Sequence, residues 1–134
     1  MAVRNVSVLV LYNDHKEILL QHRSKDAERL QNYWAFFGGG IEGAESPEQA
    51  VTRELLEELE YNVVSPTLIF NQKFVYEGDE NTKYVFVEKF DPSKQLTLRE
   101  GQGIGWWKFE DLKDLLIIDH DRIVLSKIRE FLNA

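Results

Sequence analysis

An α/β fold with a mixed sheet covered on both faces is the class this sequence predicts, and three observations predict it. Segments rich in β-branched and aromatic residues recur along the chain, one strongly amphipathic helix lies among them, and a second helix closes the sequence. The 134 residues suffice for one domain over 1–134 with a substantial core and are too few for two ordinary ones. No apolar run nears the roughly 18 residues of a membrane span, and the opening stretch alternates like a strand rather than reading as a signal peptide. The absence of cysteine excludes disulfides, thiol catalysis and thiolate metal sites, and it suits a cytoplasmic location.

Val3 to Tyr12, rich in Val and Leu, is predicted as the first strand, with a turn at Asn13-Asp14-His15-Lys16 and a second strand from Glu17 to His22 completing a hairpin. Arg23 to Gln31 is charged and has no clean period, which makes it a loop. Trp34-Ala35-Phe36-Phe37 reads as a short aromatic strand ending in Gly38-Gly39-Gly40, where missing side chains permit either close backbone approach to a ligand or a tight turn. Ser46-Pro47-Glu48-Gln49 starts the central helix: Ser caps it, Pro takes the first helical position, and Gln three residues after the cap completes a capping box. Two strands follow, Asn62 to Tyr76 and Tyr84 to Phe90, joined by the polar tip Glu77 to Asn81. Asp91-Pro92-Ser93 breaks the pattern. A surface loop over Leu96 to Gly105 then leads to a strand at Trp106 to Phe109 and a short helix at Glu110 to Leu115. Asp119 or His120 is the expected cap of the last helix, with Ile123, Val124, Ile128 and Leu132 as its apolar stripe.

The chemistry concentrates on the central helix. At about 100° per residue, Glu54, Glu57 and Glu58 fall within roughly a third of its circumference, apart from the apolar stripe of Val51, Leu55 and Leu59. Like charges at this spacing cost an isolated helix about 0.2–0.5 kcal/mol, and Arg53 is the one cation beside them. Clustered carboxylate oxygens are what hard divalent cations prefer, Mg²⁺ in particular being shared between carboxylates, water and substrate phosphates.

The spacing around these carboxylates is specific. From Gly39 the chain runs five residues to Glu45, seven more to Arg53-Glu54-Leu55, and one more to Glu57-Glu58. This resembles the Nudix box of nucleoside diphosphate hydrolases, of the MutT-like kind. At about 6–7% usage per residue type, six matches of Gly, Glu and Arg arise by chance on the order of once in ten million start positions. Two positions at the end of the box depart from the pattern: Glu60 stands where the family has Gly, and Tyr61 where it usually has an aliphatic residue.

The resemblance implies an α/β/α sandwich and a Mg²⁺-dependent hydrolase, with Mn²⁺ as a substitute, that cleaves a diphosphate linkage in a nucleoside triphosphate, nucleotide sugar or dinucleoside polyphosphate. By the same resemblance Glu57 and Glu58 are the core metal ligands, and Glu54 is a further ligand or the base that deprotonates the attacking water. The Gly38 carbonyl supports a metal, and Arg53, as a planar and permanently charged clamp, orients the carboxylates. Gly39 and Glu45 brace the loop and helix. Arg99-Glu100-Gly101-Gln102 resembles a MutT segment whose Glu reaches the metal from outside the box, which makes Glu100 a ligand. Arg23 matches a basic position near the phosphates, and Trp34 or Phe36 lines the base pocket or packs in the core. Phe37 replaces a common Pro, and Asp119-His120-Asp121 stands where the MutT branch reads oxidised guanine with an Asn.

A formal charge of −7 opposes binding of a nucleic acid polymer, which depends on Lys and Arg, and would repel a small phosphorylated substrate too unless divalent cations reverse the local sign. The partners implied are therefore a small-molecule nucleotide and, as an option, a second copy in a homodimer, with no membrane. The alternative function is a Nudix-fold regulator that binds a nucleotide without cleaving it. Such proteins commonly carry a degraded box, whereas every metal carboxylate is present here.

Overall fold

Val6–Tyr12 forms β1, the strand on which the sheet is assembled, because it is apolar on both faces: Val8 and Val10 turn to one side, Leu9 and Leu11 to the other. The computed structural model describes residues 5–134, so the predicted strand start at Val3 and Arg4 lies outside the described residues. The remaining elements are β2 (Ile18–His22), β3 (Trp34–Ala35), β4 (Phe37–Gly40), α1 (Pro47–Leu59), β5 (Thr67–Tyr76), β6 (Asp79–Lys89), β7 (Gly103–Trp107), a 3-10 helix (Phe109–Asp114) and α2 (Asp119–Leu132). β1 runs parallel to β6, with Val6 opposite Lys83 and Tyr12 opposite Lys89, and the other pairings are antiparallel, giving a seven-stranded mixed sheet. Val51, Leu55 and Leu59 of α1 join the core on the Leu9 face, and Val124, Leu125 and Ile128 of α2 join that on the Val10 face. This is the predicted α/β sandwich. Among the described residues no helix is long and apolar enough to cross a membrane.

Several boundaries differ from the sequence reading, each for a reason of pairing. The predicted hairpin turn is present, with Asn13 Oδ1 accepting the N–H groups of His15 and Glu17, but β1 and β2 meet at Tyr12 opposite Ile18. Beyond that point β4 occupies the edge of β1, and β7 lies along β2. The aromatic strand and its glycines are likewise divided: β3 pairs with β2, the chain breaks at Phe36, and Gly38–Gly40 continue as β4 opposite Val6–Val8. The glycines are therefore strand, not turn. The connection between β5 and β6 is a two-residue turn of Glu77 (φ 51°) and Gly78 (φ 83°), so Asp79–Asn81 of the predicted polar tip are already in the ladder and no long tip exists to act as a lid. β5 starts at Thr67, not Asn62, because Pro66 has no N–H and those of Val64 and Ser65 go to the Glu88 carboxylate, and β7 starts at Gly103, opposite His22 at the end of β2. The cap of α2 is Ile118, without a side-chain hydrogen bond, and not Asp119 or His120. Leu125, rather than the 53% exposed Ile123, completes its buried stripe.

The end of α1 follows the family's geometry with a different residue. Glu60 adopts the left-handed conformation (φ 53°, ψ 34°) and its N–H closes the helix on the Leu56 carbonyl at 3.0 Å. A side chain there carries strain of about 1 kcal/mol, but the Glu60 carboxylate recovers part of it by accepting from Arg99 Nη1 at 2.9 Å. Glu60→Gly is therefore expected to raise unfolding stability by up to ~1 kcal/mol in denaturant melts. A destabilised Gly variant would mean that the Arg99 pair outweighs the strain.

Candidate active site

The rotation of α1 decides which carboxylate faces what, and its start and apolar stripe fix that rotation. Ser46 Oγ accepts the Gln49 N–H at 3.1 Å while Gln49 Oε1 accepts the Ser46 N–H at 2.9 Å, forming the predicted capping box. Buried Ser7 of β1 donates from Oγ to the Pro47 carbonyl at 2.7 Å, tying the first turn to the sheet. With Val51, Leu55 and Leu59 wholly buried beneath, Glu54 and Glu58 are turned onto β4 and Glu57 toward solvent. Side-chain exposure is 16% for Glu54 and 59% for Glu57, and residue Glu58 is only 8% exposed.

Glu58 is a buried carboxylate with few donors. Its Oε1 accepts the Gly38 N–H at 3.1 Å, and its Oε2 accepts from Gln21 Nε2 at 3.2 Å. Burial, then the Glu54 carboxylate in hydrogen-bond contact, then the charge of Glu100 push its pKa up to about 8 against the downward pull of the Gly38 N–H. Two carboxyl groups in such contact require a proton or a cation between them. Gln21 was missed in the sequence, although the signal was present: it lies two residues after Leu19, on the same inward face of β2. The same Nε2 also donates to the Phe36 carbonyl at 2.8 Å, so the break between β3 and β4 and the buried glutamate share one amide.

Arg53 braces the acidic face from the other side. Its Nε and Nη2 form a fork on Glu45 at 2.7 and 3.0 Å, Nη2 also donates to the Gly40 carbonyl at 3.1 Å, and Nη1 donates to Glu54 at 3.0 Å and lies 3.5 Å from Glu57. The guanidinium holds the Glu45 carboxyl below its usual range, helped by the Glu42 N–H, and the carboxylates in turn raise the Arg53 pKa. The loop between β4 and α1 is thereby fastened to the helix that carries the carboxylates.

Gly38 and Gly39 are needed for different reasons. At Gly38 (φ 140°) a Cβ would stand 2.1 Å from the Ser7 carbonyl oxygen and 2.7 Å from Val8 Cα, both backbone atoms that cannot retreat. At Gly39 it would stand 2.7 Å from Glu54 Oε1, the end of a movable side chain. Gly38→Ala is expected to destabilise the fold by roughly 3 kcal/mol or more. Gly39→Ala should fold almost as well as the parent while losing most of its hydrolytic activity. Thermal melts paired with turnover check the contrast, and equal damage to both properties in both variants would contradict it.

The other residues singled out in the sequence are spread more widely. Glu100 is exposed on the segment before β7, near enough to act electrostatically on Glu58. Arg23 turns its guanidinium onto the Arg29 carbonyl, with Nη2 at 3.0 Å, within its own loop. Trp34 stacks on His22 with ring centroids 4.5 Å apart and meets Trp107 edge-on at 5.1 Å. Phe36 is buried in the core on the α2 side. Asp121 is buried and accepts from Lys83 Nζ, while His120 stacks on Phe74 and its carbonyl accepts from Gln72. The structure thus gathers Gly38, Gly39, Glu45, Arg53, Glu54 and Glu58, with Glu57 and Glu100 at the solvent side, and does not bring Arg23, Trp34 or Phe36 into contact with them.

The carboxylates form an open shelf. A hollow of about 370 Å³, lined by Tyr12, Tyr61, Glu88, Lys89, Asp91 and Lys94 among others, contains none of them. Among the described residues no three His, Cys, Asp or Glu side chains are already closed around one point. The oxygens nevertheless suit a hard divalent cation, since Glu54 and Glu58 meet over a glycine backbone and Glu57 and Glu100 lie at the solvent side. Mg²⁺ commonly keeps several waters and completes its shell with substrate phosphates.

Comparisons with known proteins agree with this geometry. Residues 1–127 match the family described as NUDIX domain. An RNA pyrophosphohydrolase of Sulfurovum sp. is 30% identical over 128 residues, covering 89% of this chain and 78% of that protein. The 8-oxo-dGTP diphosphatase of Escherichia coli is 44% identical over 54 residues, or 40% of this chain and 41% of that one. The MutT protein of Methanosarcina mazei superposes with a TM-score of 0.84 over 98% of this chain and 96% of that one, and its 20% identity makes it a likeness of fold. With a box of carboxylates braced on a glycine strand and a family match over nearly its whole length, this chain belongs to the Nudix hydrolase family.

Proposed function

We propose that this protein hydrolyses a diphosphate linkage in a nucleoside diphosphate derivative, using Mg²⁺, with Mn²⁺ able to replace it. The observation that carries the reading is the contact of Glu54 with Glu58 over Gly38 and Gly39, held from behind by the Arg53 fork. A bound divalent ion supplies neutralisation of phosphate oxygens and activation of water. Glu54, Glu57, Glu58 and Glu100, with the Gly38 carbonyl, are the oxygens that would hold it. Of these four carboxylates Glu54 makes the shortest contact with Arg53, at 3.0 Å, and it lies against Gly39, which fixes its direction and suits it to take a proton from the attacking water. Glu45 acts through Arg53, whose guanidinium it holds in a fork.

A small nucleotide is favoured over a polymer. The net charge of −7 provides no cationic track for a nucleic acid backbone, and Asp121, where a MutT enzyme has its base-reading Asn nearby, is already engaged by Lys83. The name of the Sulfurovum relative refers to RNA, so an RNA end belongs among the substrates to be tried. The test is release of a mononucleotide, pyrophosphate or sugar phosphate, separated by chromatography, with and without Mg²⁺, from nucleoside triphosphates including 8-oxo-dGTP, nucleotide sugars, ADP-ribose, dinucleoside polyphosphates and a 5′-triphosphorylated oligonucleotide. Metal-dependent release from at least one small nucleotide is expected. Tight nucleotide binding with no release from any of them would turn the reading to a regulator.

A further inference from the structure

Glu60, one of the two residues that depart from the family's box, ends α1 beside the segment that carries Glu100. Residues 97–102 run beside the last turn of α1: the Thr97 N–H donates to the Leu59 carbonyl at 3.0 Å and the Arg99 N–H to the Glu58 carbonyl at 2.9 Å. These are carbonyls that a helix end leaves without an intrahelical partner. Further on, Gly101 (φ 90°) passes so close to β2 that a Cβ would lie 2.9 Å from the His22 carbonyl oxygen, which accepts the Gln102 N–H at 2.8 Å. Gln102 Nε2 then donates to the Arg23 carbonyl and to Asn32 Oδ1, both at 2.7 Å. Glu100 sits between these two anchorages. Leu96 and Leu98 pack on the core beneath α1, and Arg99 adds the polar tie, its Nη1 donating to Glu60 Oε2 at 2.9 Å.

We infer that the Glu60–Arg99 ion pair is a positioning device that holds Glu100 beside Glu58, so that the left-handed glutamate in place of the family's Gly serves the metal site. The inference rests on the reading of Glu100 as a metal ligand. A Gly at position 60 would end the helix with less strain and leave Arg99 without a carboxylate partner there. With Glu60 the helix stop gains a handle on the loop. Both side chains are about half exposed, at 48% and 60%, so the effect is one of a surface pair. It corresponds to about a two- to fivefold change in metal affinity.

The sign of the effect separates positioning from bulk charge. Arg99 is a cation next to an acidic site, and on charge alone its removal would tighten binding of a divalent ion. Positioning predicts the reverse. The experiment measures Mn²⁺ binding to the whole chain without nucleotide, by electron paramagnetic resonance of the free ion, alongside the Mg²⁺ dependence of turnover. Glu100→Ala is expected to weaken Mn²⁺ binding at least fivefold, and Arg99→Gln and Glu60→Gln about two- to fivefold each. Arg99→Gln made in the Glu100→Ala background should give no further weakening, and the exchange Glu60→Arg with Arg99→Glu should recover most of the parent affinity. If Glu100→Ala weakens binding while Arg99→Gln leaves it unchanged or tightens it, the ion pair has no positioning role and the reading of Glu100 stands. Unaltered Mn²⁺ binding in Glu100→Ala removes Glu100 from the metal set and overturns the inference with it.

Discussion

Glu58→Gln is expected to lower hydrolysis by about three orders of magnitude, equivalent to ~4 kcal/mol of transition-state stabilisation, while the fold survives. The amide keeps an oxygen for the Gly38 N–H, and its NH₂ can donate to Glu54, so that pair no longer needs a shared proton, while Gln21 Nε2 gives up its bond to residue 58 and retains the one to the Phe36 carbonyl. The substitution should also change how the metal-free protein responds to pH. A folded-state pKa of about 8, raised from 4.5, means that the native state holds a proton the unfolded chain has released between those values. Stability therefore falls as pH rises through that window, by on the order of 2–4 kcal/mol. Denaturant melts in chelator at pH 5 and pH 8.5 should show this loss in the parent and a much smaller one in Glu58→Gln, which has nothing to release. Near-parental turnover at saturating Mg²⁺ would remove Glu58 from the metal set, and parallel pH profiles would remove it as the source of the pH effect.

Arg53→Lys is expected to reduce turnover by about 10- to 100-fold, the range seen when an outer partner of a metal ligand is lost. Nominally the charge is conserved. A single ammonium, however, cannot reproduce the fork on Glu45, the bond to the Gly40 carbonyl and the reach to Glu54 at once. The β4–α1 loop should loosen and Glu54 lose its fixed direction, with a stability loss of about 1–2 kcal/mol. Glu45→Gln removes one partner of that fork and should cost less activity. Turnover at saturating metal, measured with melts for all three proteins, checks the order. A lysine variant as active as the parent would reduce Arg53 to a charge that any cation can supply.

What the sequence made legible was governed by local rules. The capping box, the stripe of Val51, Leu55 and Leu59 and the acidic face of α1 all depend on residues within one helix. Strand limits depend on partners far along the chain. The break at Phe36 exists because β2 and β1 each take one half of the segment, and β5 begins at Thr67 because Pro66 has no N–H to donate and the Glu88 carboxylate of β6 takes the N–H groups of Val64 and Ser65. The site was legible for the same reason as the helix, since its central carboxylates sit on α1. The bond of Gln21 to Glu58 and the Glu60–Arg99 pair instead join segments far apart in the chain. The exposure of Ile123 is a case between the two: a helical stripe has the right period, but which of the two residues flanking Val124, Ile123 or Leu125, faces inward is set by the sheet that α2 rests on.

The parallel ladder between β1 and β6 orders the events of folding. β1, β4 and α1 can find one another as soon as residue 59 is available, through contacts such as Ser7 to Pro47, about half the separation of Val6 from Lys83. Val6 must instead wait for Lys83, and the Glu58 carbonyl must wait for Arg99. Closing such long loops carries the larger entropic penalty and is the slow event in chains rich in distant pairings. A growing chain therefore assembles the inner carboxylates, already crowded together, well before their outermost companion arrives.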